Sequence, residues 1–524
     1  MSELKNERLP TIGAKRPPGL RLALLAGILL WLSCPASPLW PLAWIALSPL
    51  ILSITRASRF RQAVWRGYMF GLVYLGFVWY WTGNTVVAWT HSEVGRLAWL
   101  ALTLIAALFY AAWGGAAWLL GKCTASWYRI LAFSAAWVVM EWTRTLGRIT
   151  GPWAQISYTQ YRCLPLIQIA EVTGAYGISF LIVLFNATVA EWWADRANAL
   201  ATRRMIVSAC TAVVIGVLGA MRANVPEEGP KIAVAAMQPN FHVNSESNTG
   251  RDLSVFASLS DQADASKSVS LFVWPETAAP EDAVHDYRTY GVLRGIAERY
   301  HAAVATGSQV IDPKTHAAYN SSVLITGDGS TPQRYDKVHL LPFGEFIPYR
   351  DLLPSFLESA FQIPTNDLTP GATQIPLHFE TQNGMPVALG PFICYESMYP
   401  NSARAMTAAG ANLLITQSND DWFKSESALE QHLSAVVMRA VENRRCVVRS
   451  TSTGITCIID SHGVIVGAIP VNSPGSVVRM VRLRSALSIY NRFGDWFVLL
   501  CGVYVMGIFA RSFLNRRIGS ESEH

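Results

Sequence analysis

Apolar and polar positions divide this chain into parts of different character. Long apolar runs, separated by short polar connections, fill the first 221 residues, and one more apolar run lies near residues 496–512. Between them, from about 228 to 487, the apolar runs are only as long as strands and alternate with polar segments. A membrane helix needs about 20 predominantly apolar residues. The pattern therefore predicts a membrane part, a domain outside the bilayer and a final anchor.

About eight membrane-spanning helices are predicted. They cover residues 21–34, 39–55, 66–83, 97–120, 128–143, 175–193, 205–221 and 495–513. The first run is short, and a cleaved signal peptide is the alternative there, but no small-residue cleavage site stands out and more runs follow at once. The predicted organisation is a membrane domain with seven helices at 1–227, a second domain at 228–487, and a last helix with a tail at 488–524.

Lysine and arginine are concentrated in every second connection. They occur in the N-terminal tail, after the second, fourth and sixth runs, and after the last run, while the loop at 144–174 departs mildly from this with three arginines. Because basic loops stay in the cytoplasm, both termini are expected there, and residues 228–487 are expected in the periplasm of a bacterium. The net charge of +6 then reflects this bias and not a nucleic-acid surface.

The middle of the chain has the pattern of an α/β protein. Strand-like runs occur at 231–237, 270–275, 303–309, 322–326, 385–394, 411–418, 446–452 and 455–460, and helical periodicity occurs at 281–300 and 428–444. Such strands, apolar on both faces and separated by helices, are typical of an α/β sandwich. The sequence has no glycine-rich nucleotide motif and no cysteine–histidine cluster with metal spacing. Neither a nucleotide nor a zinc ion is therefore expected.

Three short stretches place reactive side chains in apolar surroundings. FICYESMYP contains Cys394 at the end of a strand-like run, SLFVWPET contains Glu276, and QRYDKVHLLPFGE contains Lys337 and Glu345. Each alone has an ordinary explanation, namely a cysteine that fills the core, the first turn of a helix, or a solvated ion pair. Together, a thiol, a carboxylate and an ammonium group predict nucleophilic catalysis by cysteine.

These three motifs, in this order, resemble the nitrilase or carbon–nitrogen hydrolase superfamily, and the membrane part resembles its apolipoprotein N-acyltransferase branch. The resemblance extends to EWTR at 141–144, GPWAQISYTQ at 151–160, SNDDWF at 418–423, QHLSAVVMRAVENRRCVVRSTSTGIT at 431–456 and SIYNRFGDW at 488–496. It implies an αββα sandwich domain joined to about eight transmembrane helices.

The resemblance also implies roles for individual residues. Glu276 would be the general base, Lys337 the electrostatic partner and Cys394 the nucleophile. Glu345, Tyr395 and Glu396 would be supporting residues of the same site.

The reaction that the resemblance implies is a two-step acyl transfer. Cys394 would take an acyl chain from a membrane phospholipid, with phosphatidylethanolamine as the expected donor, and hold it as a thioester. The α-amino group of the diacylglyceryl-cysteine at the N-terminus of an apolipoprotein would then accept it. The family pattern implies no cofactor, no metal and no nucleic acid, and a monomer in the bacterial inner membrane. LLPSFLESAFQIP at 352–364 is a candidate lid, with a structural loop as the alternative.

The sequence also departs from the family pattern. QPNFHVNSESNTGRD at 238–252 contains no tryptophan, although relatives often have a Trp–Lys type segment there, and Phe346 occupies a position where tyrosine is common. These departures leave the three catalytic motifs untouched. Two other functions stay open: a membrane-anchored amidase with water as acceptor, and a transporter or receptor, which would carry ionisable residues in mid-helix.

Overall fold

The structure, a computed structural model, describes residues 19–90, 92–147, 149, 151–242, 249–264, 268–352 and 367–521. The candidate lid at 352–364, apart from its first residue, lies outside the described residues. So does the middle of the 238–252 segment.

The chain is helical up to residue 223 and again at its C-terminal end. The α-helices of this part are α1 (Gly19–Leu32), α2 (Ala43–Ala46), α3 (Ser48–Thr55), α4 (Phe60–Val78), α5 (Tyr80–Thr90), α6 (Arg96–Cys123), α7 (Ser126–Thr143), α8 (Leu164–Ile167), α9 (Ala170–Thr173), α10 (Tyr176–Ala194) and α11 (Ala199–Ala223), with α16 (Ile489–Phe493) and α17 (Trp496–Glu521) at the end. Their facing sides are rich in alanine, leucine and aromatic residues, whereas α11 and α17 leave long apolar faces exposed.

Four helices among the described residues are long and apolar enough to cross a membrane on length and composition alone: Arg96–Cys123, Tyr176–Ala194, Ala199–Ala223 and Trp496–Asn515. Helix α1 has 14 residues, a length of about 21 Å, against a hydrocarbon core of about 30 Å. Helices α4 and α7 are longer but carry charged residues near their ends. The expected count of eight depends on these shorter or more polar helices.

Two six-stranded sheets form the middle of the chain. The strands are β1 (Lys231–Gln238), β2 (Leu271–Val273), β3 (Ala303–Ile311), β4 (Ala318–Ile325), β5 (Gln333–Asp336), β6 (Leu377–Glu380), β7 (Pro386–Ile393), β8 (Leu413–Ser418), β9 (Val447–Thr451), β10 (Cys457–Ile459), β11 (Ile465–Ala468) and β12 (Gly475–Arg482). The first sheet has the order β12-β1-β2-β3-β4-β5 and the second β11-β10-β9-β8-β7-β6. The central strands of each sheet, β1–β3 and β7–β9, are parallel.

The sheets pack face to face with helices on their outer sides. Val234 and Ala236 of β1 point into the core between the sheets, while Ala235 and Met237 face outward and pack with Phe256. The outer helices are α12 (Thr249–Asp264) and α13 (Tyr287–Tyr300) on the first sheet, and α14 (Pro400–Ala408) and α15 (Glu426–Asn443) on the second. The sandwich expected from the sequence is present.

Some elements differ from the sequence-based prediction. All eight strand-like runs form strands. β5, β6 and β11 are not predicted because each has only four residues, and β12 is not predicted because two arginines interrupt its apolar run. The helix predicted at 281–300 begins only at Tyr287, because Asp286 accepts the N–H of Thr289 and caps the helix there.

Buried polar contacts join the sandwich to the membrane part. The Glu442 carboxylate of α15 accepts the N–H of Ala175, at the start of α10, at 2.9 Å. Arg444 forms an ion pair with Glu171 of α9, which also binds Arg222 at the end of α11 at 2.9 Å. The two parts therefore meet through satisfied charges as well as apolar surface.

Asp495, just before α17, makes a further junction. Its carboxylate accepts hydrogen bonds from Arg404 of α14 at 2.7 Å and from the indole N–H of Trp142 of α7 at 3.2 Å. One carboxylate thus fixes the last helix to both other parts of the chain.

Replacing Asp495 by Ala should destabilise the junction by about 1–3 kcal/mol, because hydrogen bonds to a charged group are lost. The measurement is thermal unfolding of the full-length protein in detergent. The control is Asp261→Ala, which removes an exposed ion pair with Arg299 and should change little. Equal unfolding temperatures for the two variants would contradict the assigned role of Asp495.

Candidate active site

The predicted catalytic residues lie at one end of the sandwich, just past the ends of strands. Glu276 follows β2, Lys337 follows β5 and Cys394 follows β7 directly. Asn419 follows β8 in the same way and reaches across to the first sheet. Side chains at the ends of neighbouring strands converge, so residues far apart in sequence become neighbours.

Lys337 is the centre of the polar cluster. Its side chain is 1% exposed, and Nζ lies 3.3 Å from Glu276 Oε1 and 2.9 Å from Glu345 Oε1. Burial by itself would lower the pKa of the Lys337 ammonium, but the carboxylates of Glu345 and Glu276 outweigh it and raise this pKa above its ordinary value. Lys337 therefore stays cationic between two carboxylates.

Asn320 of β4 ties the same two carboxylates together. Its Nδ2 donates to Glu276 Oε1 at 2.8 Å and to Glu345 Oε1 at 2.6 Å. Its main-chain carbonyl accepts the main-chain N–H of Lys337 at 2.8 Å. Sequence reasoning missed this residue. The only signal was a polar Asn-Ser-Ser run inside a strand, which is not specific for a site.

The backbone around Glu276 is held tightly against β3. The second carboxylate oxygen accepts the N–H of Asn419 at 2.8 Å. Gly307 of β3 has no side chain where a Cβ would lie 2.5 Å from the Cα of Glu276, and its N–H donates to the carbonyl of Pro275 at 3.0 Å. This close approach fixes the carboxylate in both position and direction.

Cys394 begins a short helical turn, Cys394–Met398, and its backbone has φ +49°. A residue other than glycine in this left-handed region costs on the order of 1–3 kcal/mol and is typical of functional turns. Burial, and next the Glu276 carboxylate, raise the pKa of the Cys394 thiol, while Lys337 opposes them. The thiol is therefore protonated at rest, beside a carboxylate. All eight cysteines, Cys163 among them, are free and lie in the described part of the chain.

Glu396 positions backbone and does not contact the Lys337 ammonium or the Cys394 thiol. Its side chain is fully buried and accepts the N–H groups of Val338 at 2.9 Å, His339 at 3.0 Å and Ile393 at 2.7 Å. These groups adjoin Lys337 on one side and Cys394 on the other. Burial raises the pKa of Glu396, although these N–H groups oppose the change. One carboxylate thus joins the turn that carries Lys337 to the turn that carries Cys394.

Tyr395 lies apart from the charged cluster. Its ring packs edge-on to Tyr399, with centroids 5.4 Å apart, and parallel to Trp153, with centroids 6.5 Å apart. Its hydroxyl lies against Gly151. Tyr395 therefore connects the cysteine turn with the 151–160 segment of the membrane part.

One cluster among the described residues has the donor set of a metal site. Donor atoms of Glu227, Asp460 and His462 lie within 4.8 Å of one another. Each carboxylate already accepts backbone N–H groups, from Ser461 and from His462 and Val464 respectively. Burial, and after it Arg444 and two other arginines, lower the pKa of His462. The cluster is explained as a hydrogen-bonded turn in a cationic neighbourhood, which a metal ion does not favour.

Comparison with known families matches both parts of the chain. The model of the apolipoprotein N-acyltransferase N-terminal domain matches residues 26–188, and that of the carbon-nitrogen hydrolase matches residues 231–487. The second match covers the two-sheet sandwich. Among solved structures, Nit3 of Saccharomyces cerevisiae, a member of branch 10 of the nitrilase superfamily, is 20% identical with a TM-score of 0.38, and covers 48% of this chain and 90% of its own.

Relatives that match over nearly the full length define the family. The apolipoprotein N-acyltransferase of Geobacter metallireducens is 35% identical over 98% of this chain and 98% of its own. That of Azotobacter vinelandii is 32% identical over 94% of each, and that of Pseudomonas putida is 30% identical over 94% of this chain and 96% of its own. The chain belongs to the apolipoprotein N-acyltransferase family.

The charges around Cys394 predict opposite effects of two substitutions. Glu276→Gln removes a carboxylate that raises the pKa of the thiol, so the pH profile of Cys394 alkylation should move to lower pH. Lys337→Met removes an opposing cation and should move it to higher pH, because only the thiolate reacts. Iodoacetamide labelling rates measured across pH test this, with Cys394→Ala as the background. If both substitutions moved the pH profile in the same direction, Glu276 and Lys337 would not be the opposing charges next to the thiol.

Glu396→Gln replaces one acceptor oxygen by an NH2 donor, so the N–H groups on that oxygen lose their acceptor, at about 1–3 kcal/mol for each lost bond. The unfolding temperature and the rate of Cys394 alkylation should both fall. The matched control is Glu380→Gln, at the exposed end of β6, which should change neither. Alkylation at the wild-type rate in Glu396→Gln would show that this carboxylate does not hold the cysteine turn.

Proposed function

We propose that this protein is an N-acyltransferase that moves a fatty acyl chain from a membrane phospholipid to the N-terminal diacylglyceryl-cysteine of apolipoproteins. The observation that carries the proposal is the buried Lys337 ammonium between Glu276 and Glu345, in a turn that Glu396 ties to the Cys394 turn. This arrangement suits acyl transfer through a thioester. Membership of the family and its membrane helices support the choice of lipid substrates.

In the first step, Glu276 takes the proton of the Cys394 thiol as the sulfur attacks the ester carbonyl of the phospholipid. Negative charge develops on the carbonyl oxygen, and the Lys337 ammonium stabilises it. The ester C–O bond then breaks, and the leaving oxygen takes the proton from Glu276. Lysophospholipid departs, and the acyl chain stays on Cys394 as a thioester.

In the second step, the α-amino group of the acceptor attacks the thioester carbonyl and loses a proton to Glu276. The C–S bond breaks, and the proton returns to the sulfur, so the thiol is regenerated and an amide has formed. Glu345 keeps Lys337 charged and oriented in both steps, through the 2.9 Å contact. Phosphatidylethanolamine is the proposed donor, and water must be excluded while the thioester exists.

We propose that the protein works as a monomer in the bacterial inner membrane, with eight spans in 1–227 and 488–524 and the sandwich, 228–487, in the periplasm. Arg129 and Arg204 both bind Glu191, each at 2.8 Å. Arg129 lies at the start of α7, and Glu191 and Arg204 lie on the two sides of the α10–α11 connection, so two basic connections share one side. The sandwich contacts the opposite end of α10 through Ala175. It also pairs through Arg444 with Glu171, which binds Arg222 at the opposite end of α11. The positive-inside rule then makes the basic side cytoplasmic.

A hydrolase with water as acceptor is the alternative, because the solved carbon–nitrogen hydrolases share this fold. Membrane helices joined to the sandwich by partly buried ion pairs favour the acyltransferase, since a hydrolase has no need of substrates that stay in the bilayer. A transporter would require ionisable residues in mid-span. Glu141 of α7 lies near the end of its helix and accepts the N–H of Ile156 at 2.9 Å and the indole N–H of Trp137 at 3.0 Å.

Purified protein mixed with phospholipid in detergent should gain the mass of one acyl chain on the Cys394 peptide, and a diacylglyceryl-peptide with a free amine should remove it. Mass spectrometry of the digested protein measures both events. Cys394→Ala should gain nothing, whereas Cys163→Ala, which removes a thiol elsewhere, should behave like wild type.

The same experiment with an N-acetylated peptide separates the alternatives. Acyl loss with the blocked amine at the same rate as with the free amine would favour a hydrolase. Absence of any adduct in folded protein would overturn the nucleophilic role of Cys394.

A further inference from the structure

A histidine lies directly behind the cysteine turn. His432 of α15 is fully buried, and its Nε2 is 3.0 Å from the main-chain oxygen of Cys394. A carbonyl oxygen can only accept a hydrogen bond, so Nε2 carries the hydrogen and donates it. The imidazole therefore holds the carbonyl of the proposed nucleophile, although it does not touch the thiol.

The other side of the imidazole faces a buried carboxylate. Nδ1 of His432 is 3.1 Å from Asp420 Oδ1. Asp420 in turn accepts a hydrogen bond from Ser418 Oγ at 2.6 Å and from Arg449 Nη2 at 2.5 Å. The side chains of Asp420, His432 and Arg449 are all fully buried. Burying such a set is costly unless each member is paired, and here each member fixes the next.

The space for Asp420 depends on a glycine. A Cβ on Gly454 would lie 2.5 Å from Asp420 Oδ2. Gly454 belongs to the segment between β9 and β10 and makes no contact with Cys394 that the structure describes. It therefore offers a way to displace Asp420 without altering His432 itself.

The membrane part covers the face of the imidazole. The indole of Trp153 lies nearly parallel to the His432 ring, with centroids 5.6 Å apart and 25° between the planes. The indole N–H donates to Gln431 Oε1 at 2.6 Å, and the Trp153 carbonyl accepts from Arg144 at the end of α7. The histidine is thus enclosed between the sandwich and the membrane part, away from water that would compete for Nε2.

The backbone of Cys394 needs such support. Its φ of +49° is costly for a residue other than glycine, and such a conformation persists only where surrounding contacts enforce it. Glu396 holds the N–H of Ile393 on one side of the turn, and His432 holds the carbonyl of Cys394 on the other. Together the two hydrogen bonds fix the Phe392–Ile393 peptide unit before the thiol and the Cys394–Tyr395 peptide unit after it.

We infer that His432 is a positioning residue for the Cys394 nucleophile, that Asp420 and Arg449 orient its ring, and that Trp153 couples this orientation to the membrane part. The inference rests on the proposed function, because it takes Cys394 as the residue that carries the acyl chain. His432 acts through the Cys394 carbonyl and takes no part in proton transfer.

The test compares His432→Ala with His432→Gln in the full-length protein in detergent. The glutamine amide N–H can replace Nε2 as a donor to the carbonyl, and alanine cannot. His432→Ala should lower kcat for acyl transfer and the rate of Cys394 alkylation by about tenfold or more, with KM for phospholipid little changed. His432→Gln should restore most of both rates. His462→Ala, which removes the other buried histidine near the β10–β11 turn, is the matched control and should keep wild-type kcat.

Gly454→Ala provides a second test in case His432→Ala does not fold. By displacing Asp420, it should lower kcat as His432→Ala does. If His432→Ala does fold, the double variant should lose no more kcat than His432→Ala alone, because Gly454→Ala acts through Asp420 on His432. Thermal unfolding of every variant is measured alongside.

Three results would overturn the inference: wild-type alkylation and kcat in folded His432→Ala, equal losses in the glutamine and alanine variants, or wild-type kcat in Gly454→Ala. Failure of the proposed function is a separate outcome. It would show as no acyl mass on wild-type Cys394, while alkylation would still report whether His432 positions the thiol.

Discussion

One buried ammonium group determines the arrangement of the whole site. Glu276 and Glu345 share Lys337 and Asn320 as partners, and two carboxylates this close in a protein interior would repel each other without the cation between them. The cation therefore holds both carboxylates together at the end of the sandwich that carries Cys394. Removing Lys337 would change the electrostatic surroundings of Glu276, Glu345 and Cys394 together, so the role of each depends on the others.

Sequence reasoning predicted the parts of the molecule that leave a local signal. β1 and β7 contain long apolar runs because both of their faces are buried, and Glu276 and Cys394 stand out as reactive groups at the ends of such runs. The rest depends on contacts between distant segments. Asn320 lies within a strand and His432 within a regular helix, so neither has a local pattern that distinguishes it from an ordinary buried polar residue.

The supporting residues differ in what they hold. Glu345 contacts the Lys337 ammonium, and Asn320 contacts the carboxylate of Glu276, the proposed base. Glu396 acts on the backbone beside Lys337 and Cys394. Tyr395 packs between the cysteine turn and the membrane part through Trp153, which also covers His432. The predicted roles of Tyr395 and Glu396 thus depend on packing and backbone contacts, whereas those of Glu276 and Lys337 depend on contacts between charged groups.

The ribosome synthesises α10 long before Glu442, whose carboxylate accepts the N–H at the start of this helix. The carboxylate that accepts the Ala175 N–H is 267 residues further along the chain, and the arginine that meets Glu171 is 273 residues further. At about 5–20 residues per second, this interval lasts on the order of ten to fifty seconds. During that time the start of the helix has to satisfy its N–H groups with water or lipid headgroups. Insertion of the helices and their final docking are therefore separate events, and the membrane part matures only after the ribosome has passed residue 444.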